Sequence, residues 1–234
     1  MLHAIITNKA GKNLSKSEVY WRDLFSTSED SLTAMIFGRL LYLPSELIWE
    51  ILNSASYSER LTTGYPKILS AEFWPRWVSD ETSKSKSVEP DIFIRTTEFD
   101  LIIEAKRYDD NQQDAAQWQN ECQAYLNEYG EEDRKVILLA IGGINNEQDE
   151  IITISNKNIS VIKCRWIKLL HEIKKIHLRL EKNSSQLNSI NSLIVILKDI
   201  VSGFGIHGYS TGGWLEDENF DKLTPIKRIN FSTL

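Results

Sequence analysis

The chain has 234 residues, of which 41% are hydrophobic, and its formal net charge at pH 7 is −6. Such a chain can bury a sizeable core as one domain, and its negative charge argues against nucleic-acid binding through a globally basic surface. Cys122 and Cys164 are too few for a disulfide scaffold or a zinc site and fit a reducing cytosol. No apolar run approaches the roughly 18 residues of a membrane span, and residues 1–16 lack a signal core, so we expect a soluble cytoplasmic protein without membrane contact.

Two helices are predicted ahead of the first strand. Residues 27–30 supply an N-cap for a helix whose apolar residues recur at helical spacing as far as Leu41. Pro44 suits the first turn of a second helix that continues through Leu52. Residues 16–25 are expected to form a further short helix or approach segment that packs through its aromatic side chains.

The sheet is predicted to begin within residues 68–78. A polar insertion at residues 79–87 is expected to be a mobile loop, in which Lys84 and Lys86 either meet phosphates or lie in solvent. Residues 91–95 and 99–106 are rich in β-forming side chains, and the polar segment between them is short. This pattern predicts a β-hairpin.

Three charged residues, Asp91, Glu104 and Lys106, interrupt this apolar hairpin. Successive side chains of a strand point to opposite faces, so Glu104 and Lys106 project from one side while Ala105 points to the other. Charges within an apolar run are costly unless they serve a function. The alternative is an ordinary hairpin with surface charges.

These residue types together suit the hydrolysis of a phosphodiester. That reaction needs an activated water, a neutralised phosphate charge and help for the leaving oxygen, and a hard divalent cation held by carboxylates supplies all three. We expect Asp91 and Glu104 to bind Mg²⁺ or Mn²⁺ together with the main-chain carbonyl of Ala105. Lys106 is expected to orient or deprotonate the attacking water and to offset negative charge in the transition state.

Pro90-Asp91, twelve intervening residues and Glu104-Ala105-Lys106 resemble the signature of the PD-(D/E)XK, or restriction-endonuclease-like, nuclease superfamily. Strand context on both sides gives this short motif its value. The resemblance covers residues 28–166 and implies an α/β fold, with a restriction-endonuclease-like mixed central sheet flanked by helices. It also implies a metal-dependent endonuclease that cleaves DNA in prokaryotic restriction, repair or antiviral (anti-phage) defence.

The resemblance implies a further acidic residue from the helix that precedes the sheet, because many superfamily members turn such a residue toward the metal. Glu29 is the candidate for this catalytic and metal-binding position. An acidic residue in a first helical turn also has a structural explanation, since it meets the helix dipole favourably.

The resemblance also implies a glutamine, on the helix that follows the lysine, near the scissile phosphate or the metal-bound water. Gln117 is the candidate, with Gln113 and Gln119 as competing positions. Gln117, Glu121 and Tyr125 follow at intervals of four and therefore share one predicted helical face. The alternative is a glutamine-rich helix exposed to solvent.

The other predicted elements are a helix over residues 115–129 and strands at 135–143 and 159–166. Residues 166–182 and 185–201 predict a C-terminal helical hairpin, followed by an irregular segment at 203–213. We expect residues 1–166 to form the nuclease core with its N-terminal helices. Residues 167–234 would form a helical extension packed on the same domain.

Other functions fit the same sequence. Residues 166–182 are the densest basic segment, which either follows a nucleic-acid backbone or is the solvated face of an amphipathic helix. A noncatalytic nucleic-acid-binding or assembly subunit is one alternative, and a ribonuclease is another because nothing identifies recognition of a 2′-hydroxyl. The expected partners are DNA, or RNA in its place, and either a second copy of the chain in a homodimer or a partner protein of a defence system.

Overall fold

The structure is a computed structural model that describes residues 26–57, 60–78, 87–182 and 188–210. The short helix predicted at residues 16–25 lies outside the described residues. So do Lys84 and Lys86 of the polar insertion, and residues 211–234.

Two helices precede the sheet, as predicted. Helix α1 spans Glu29–Leu40, and the hydroxyl of Ser28 accepts a hydrogen bond from the Ser31 amide at 3.2 Å. This bond satisfies one of the amides that a helix leaves unpaired at its start. Helix α2 spans Ser45–Ala55 and begins directly after Pro44.

Six strands form one mixed sheet in the order β1-β4-β5-β6-β8-β7. Strands β5, β6 and β8 are parallel to one another, whereas the pairs β1–β4, β4–β5 and β7–β8 are antiparallel. The six strands are β1 (Ile68–Phe73), β4 (Ile92–Thr96), β5 (Asp100–Ala105), β6 (Val136–Ile141), β7 (Glu150–Ile154) and β8 (Lys157–Cys164). A second sheet contains only β2 (Trp77–Val78) and β3 (Ser87–Val88).

Helices cover both faces of the large sheet. Helix α3 spans Ala115–Tyr129, continues into a 3₁₀ turn at Gly130–Glu132, and packs on one face through residues such as Trp118 and Cys122. The other face is covered by α1, α2, α4 (Trp166–Lys182) and α5 (Asn188–Ile206). The predicted α/β class, with a mixed central sheet flanked by helices, is therefore confirmed. Among the helices of the described ranges, none is long and apolar enough to cross a membrane.

The structure corrects three details of the predicted elements. The strand predicted over residues 68–78 is broken at Trp74, so that its two parts belong to different sheets. Strand β7 was not predicted, and it forms an antiparallel edge beside β8. Helix α5 continues to Ile206, so residues 203–206 are helical rather than irregular.

The two C-terminal helices pack on each other, and α5 also packs on α1. Their apolar residues, including Ile173 and Leu197, belong to the same core cluster as Ile36 of α1. The predicted helical hairpin is thus present in the described residues. Its role as an extension of a core at residues 1–166 stays a prediction.

Asp109 joins the loop after β5 to the start of α4. Its carboxylate is buried and accepts hydrogen bonds from the amides of Trp166 at 2.7 Å and Ile167 at 3.3 Å. Burial raises the pKa of Asp109 to about 6, although the two amides act in the opposite direction. The ionised form is therefore the one that folding disfavours.

We expect Asp109→Asn to remove part of the pH dependence of stability. Because the folded pKa lies above the ordinary value of 3.8, the wild type should lose stability as pH rises from 4 to 6, by about 3 kcal/mol from this group. Urea unfolding of wild type and Asp109→Asn from pH 4 to pH 6 measures this pH dependence of the stability. A constant difference between them at every pH would contradict the assignment.

Candidate functional site

The three charged residues of the predicted motif lie together where β4 begins and β5 ends. Asp91 directly precedes β4, and its Oδ2 accepts a hydrogen bond from the Ala105 amide at 2.8 Å. The alternating strand geometry places Glu104 and Lys106 on one side, and Lys106 Nζ lies 2.5 Å from Glu104 Oε1. Asp91 and Glu104 are both buried.

Glu29, at the start of α1, also reaches this group. Its Oε1 lies 3.8 Å from Lys106 Nζ, and its Oε2 accepts a hydrogen bond from the Arg107 amide at 2.7 Å. Helix α1 therefore brings to the sheet the acidic residue that the sequence indicated. The carboxylate is engaged with protein donors, so its predicted place as a metal ligand stays a prediction.

The three glutamines that competed for the α3 position have different surroundings. Gln117 donates from Nε2 to Glu104 Oε1 at 2.6 Å and contacts Glu121 Oε1 at 3.0 Å. Gln113 instead donates to the main-chain carbonyls of Glu104 and Gly142. Gln119 is exposed on α3. Gln117 is thus the glutamine whose side chain reaches the carboxylates.

Glu121 completes the group, a position that was not predicted from the sequence. It is 1% exposed, and its spacing from Gln117 was the signal that could have identified it. Tyr125 shares that predicted face, but its hydroxyl donates to Asp100 at 2.9 Å. We call Asp91, Glu104, Glu29, Glu121, Lys106 and Gln117 the acidic cluster.

Burial and mutual repulsion shape the electrostatics of the acidic cluster. Burial, with the charge of Glu104, raises the pKa of Asp91 to about 7. The same two causes raise the pKa of Glu121 to about 10, which favours its neutral form. Burial acts against the charge of Lys106, but Glu104 and its neighbours prevail and raise the pKa of that lysine. Lys106 is therefore a cation at neutral pH and suits charge stabilisation better than proton abstraction.

A metal ion needs several of these oxygens to be directed at one common position. Over the described ranges, no three side chains of His, Cys, Asp or Glu are grouped as a metal site. The chemistry of the donors nevertheless fits Mg²⁺ or Mn²⁺, because carboxylates and carbonyls are the ligands that hard cations prefer. Asp91, Glu104 and the carbonyl of Ala105 are the subset that would hold such an ion. A cation there would offset the repulsion that raises the pKa of Asp91.

Two glycines after β6 shape the position of Lys106, although their sequence pattern indicated only the end of a strand. Both adopt positive φ, +66° at Gly142 and +61° at Gly143. A Cβ atom on Gly142 would lie 2.5 Å from the Lys106 carbonyl oxygen, and one on Gly143 would lie 2.7 Å from Lys106 Cβ. A side chain at either position would strain the backbone and force its neighbours to move.

Arg107 connects the acidic cluster to both ends of the described chain. Its guanidinium donates to the carbonyls of Ser26 at 2.6 Å and His207 at 2.7 Å, and its own carbonyl accepts from the Tyr209 hydroxyl at 2.8 Å. The Trp166 indole donates to the neighbouring Lys106 carbonyl at 2.7 Å. The main chain beside the lysine is thereby fixed from several elements.

The basic segment of α4 is largely engaged within the protein. Lys168 donates to the Ser56 carbonyl at 2.9 Å, and Arg179 forms a bidentate pair with Glu50. Lys175 lies 3.3 Å from Glu172. These contacts favour the interpretation of α4 as a solvated amphipathic helix over that of a backbone-tracking surface.

No protein family model matches the sequence. A protein of Pasteurella multocida (strain Pm70), named uncharacterized protein PM0110, is 32% identical over 199 residues, which cover 81% of this chain and 73% of the relative. The aligned length is sufficient for the two proteins to share the greater part of their folds.

Proposed function

The chain belongs to the family of the Pasteurella multocida protein PM0110, and for this family member we propose a divalent-metal-dependent nuclease of the PD-(D/E)XK, restriction-endonuclease-like type. The proposed substrate is DNA, with RNA as the alternative. Mg²⁺ or Mn²⁺ is the proposed cofactor.

One observation carries this proposal: Asp91, Glu104 and Lys106, separated by up to 15 positions in sequence, have side chains that interact where β4 begins and β5 ends. Placing two carboxylates in a buried position beside each other costs free energy. A catalytic or metal-binding role explains why a sequence would retain them, since perturbed pKa values cluster at functional sites.

The proposed roles follow from the contacts. Asp91, Glu104 and the Ala105 carbonyl would hold the cation, which when bound neutralises phosphate charge and lowers the pKa of a coordinated water. Lys106 supplies a positive charge next to Glu104 and is placed to stabilise the negative charge that develops on the phosphate oxygens. Gln117 and Glu29 fix Glu104 and Lys106 from α3 and α1.

Cleavage assays test the proposal. Purified wild type should cut linear, circular or single-stranded DNA, or RNA, with Mg²⁺ or Mn²⁺ and not with EDTA. We expect Lys106→Ala to lower the rate by about 10²–10⁴-fold, because an electrostatic stabiliser of the transition state is lost. Lys175→Ala is the matched control, since that lysine lies on the exposed face of α4 and should cut at the wild-type rate.

Two results would count against this function. Equal cleavage by wild type and Lys106→Ala would remove the lysine from the mechanism. Binding without cleavage under every metal condition would favour a noncatalytic nucleic-acid-binding subunit.

A further inference from the structure

Trp74 is a partly exposed aromatic residue whose main chain is hydrogen-bonded to Asp91 of the acidic cluster. Its side chain is 39% exposed, and its amide donates to the Asp91 carbonyl at 3.0 Å. Its φ is +50°, in the left-handed region that bulky side chains rarely adopt. Strain of this kind is found disproportionately at ligand-binding positions. The main chain of Trp74 is thus bonded to that of Asp91, and its partly exposed indole lies 5.6 Å from the ring of Phe73.

Tyr108 is a second exposed aromatic residue, two positions after Lys106. It is 53% exposed, and its backbone is fixed by two hydrogen bonds: its amide donates to Gln112 at 2.7 Å, and its carbonyl accepts from Gly143 at 2.6 Å. The guanidinium of Arg107 lies 5.5 Å from the ring centroid. The residue is therefore held through its main chain, and about half of its surface is open to solvent.

The strand ends place both residues next to the catalytic motif, with Trp74 beside Asp91 and Tyr108 two positions beyond Lys106. Trp74 follows β1, Asp91 precedes β4, Lys106 follows β5, and Tyr108 is bonded to Gly143 just beyond β6. The Gly143 amide donates to the Tyr108 carbonyl across the β5–β6 pair, so Tyr108 extends β5. The two aromatic backbones are therefore separated across the sheet by two strand spacings, about 10 Å. Asp91, at the start of β4, lies between these two positions.

We propose that Trp74 and Tyr108 stack against unpaired nucleobases on either side of the scissile phosphate, so that the substrate of this site is single-stranded nucleic acid. This inference rests on the proposed nuclease function. Every base has a flat π-face, so aromatic stacking is tolerant of sequence. Bases within a duplex are already stacked on their neighbours and present these faces only after they are unpaired.

The charge of the chain favours stacking over backbone tracking. Binding to duplex DNA depends strongly on lysine and arginine residues that neutralise phosphates, whereas this chain has a net charge of −6. Arg76, the exposed cation near Trp74, lies 3.6 Å from Glu89. Stacking on the two rings supplies attraction that does not need a surplus of positive charge.

Binding measured without cleavage tests this inference separately from catalysis. Fluorescence anisotropy in EDTA would compare a labelled 12-nucleotide DNA, an RNA of the same sequence and the corresponding blunt duplex. We expect wild type to prefer a single strand by at least about tenfold. Trp74→Asn, which tolerates positive φ, and Tyr108→Ala should each weaken single-strand binding by about 5- to 150-fold.

Conservative variants and a distant aromatic residue serve as controls. Trp74→Phe and Tyr108→Phe retain a ring and should bind within about threefold of wild type. Tyr42→Ala should bind like wild type, because that exposed tyrosine lies beyond the C-terminal end of α1, about 20 Å along the helix from Glu29.

Tight single-strand binding that depends on both rings supports the inference, and the DNA and RNA arms identify the sugar that is preferred. Equal affinity for single strand and duplex, or wild-type binding by Trp74→Asn and Tyr108→Ala, overturns it. Ring-dependent binding by a protein that never cleaves would remove the nuclease function and leave the stacking site. Cleavage of duplex DNA at the same rate by wild type, Trp74→Asn and Tyr108→Ala would support the nuclease function and overturn the stacking site.

Discussion

Gly143→Ala is expected to lower nuclease activity by at least about 100-fold while the protein still folds. The added Cβ would lie 2.7 Å from Lys106 Cβ and 2.9 Å from Lys106 Cγ, so the lysine stem must move. A displacement of about 1 Å at a reacting group can cost 10²-fold in rate. The φ of +61° adds strain for any residue with a Cβ, so the melting temperature should also fall by several degrees. Cleavage rates and thermal melts of the two proteins check both effects.

Gly38→Ala is the matched control for this substitution. Gly38 lies inside α1, and a Cβ there would meet nothing within 4 Å. Alanine in a helix interior should raise stability by about 0.5–1 kcal/mol, with cleavage unchanged. Wild-type cleavage by Gly143→Ala would show that the position of the Lys106 stem does not matter for catalysis.

Asp100→Ala is expected to destabilise the protein by about 3–5 kcal/mol. Asp100 is fully buried at the start of β5 and is bound by Arg95 at 3.2 Å, Arg134 at 3.0 Å and the Tyr125 hydroxyl at 2.9 Å. Removing the carboxylate leaves two arginines and a phenol without their shared partner. Chemical denaturation of the two proteins measures the loss.

An exposed aspartate in an ion pair provides the comparison. Asp133 lies 2.9 Å from Lys157, but its side chain is 89% exposed. Surface pairs of this kind contribute little because water and salt screen them. Asp133→Asn, which tolerates the left-handed φ of +49° at this position, should therefore melt like wild type. Equal melting of Asp100→Ala and wild type would contradict a structural role for the buried network.

The parts of the fold that the sequence predicted are those encoded by local pattern. Residues 27–30 precede an apolar periodic run, so the start of α1 could be inferred, and the structure identifies Ser28 as the capping residue. The β-hairpin with its alternating Glu104 and Lys106 follows from the period of two in a strand. Interaction of Asp91 with Glu104 then required only that the two strands pair.

The remaining parts of the candidate site depend on contacts between distant segments. The choice of Gln117 over Gln113 depends on how α3 sits on the sheet, and both glutamines suit a helix equally well. Gly143 lies close to Lys106 although 37 positions separate them in sequence, and no local pattern specifies that contact. Strand β7 is short, with the exposed Ile151 at its edge position, so its alternation gave too weak a pattern to predict.

Titration with Mn²⁺, followed by the loss of the free-ion electron paramagnetic resonance signal, tests the proposed centre most directly, because it needs neither the correct substrate nor a partner protein. We predict saturable binding of Mn²⁺ to wild type. Asp91→Asn and Glu104→Gln should weaken that binding by at least about tenfold, since each removes a charged oxygen ligand, while Asp133→Asn binds like wild type. Absence of binding to wild type, or equal binding by all four proteins, would contradict a metal-dependent centre at Asp91 and Glu104.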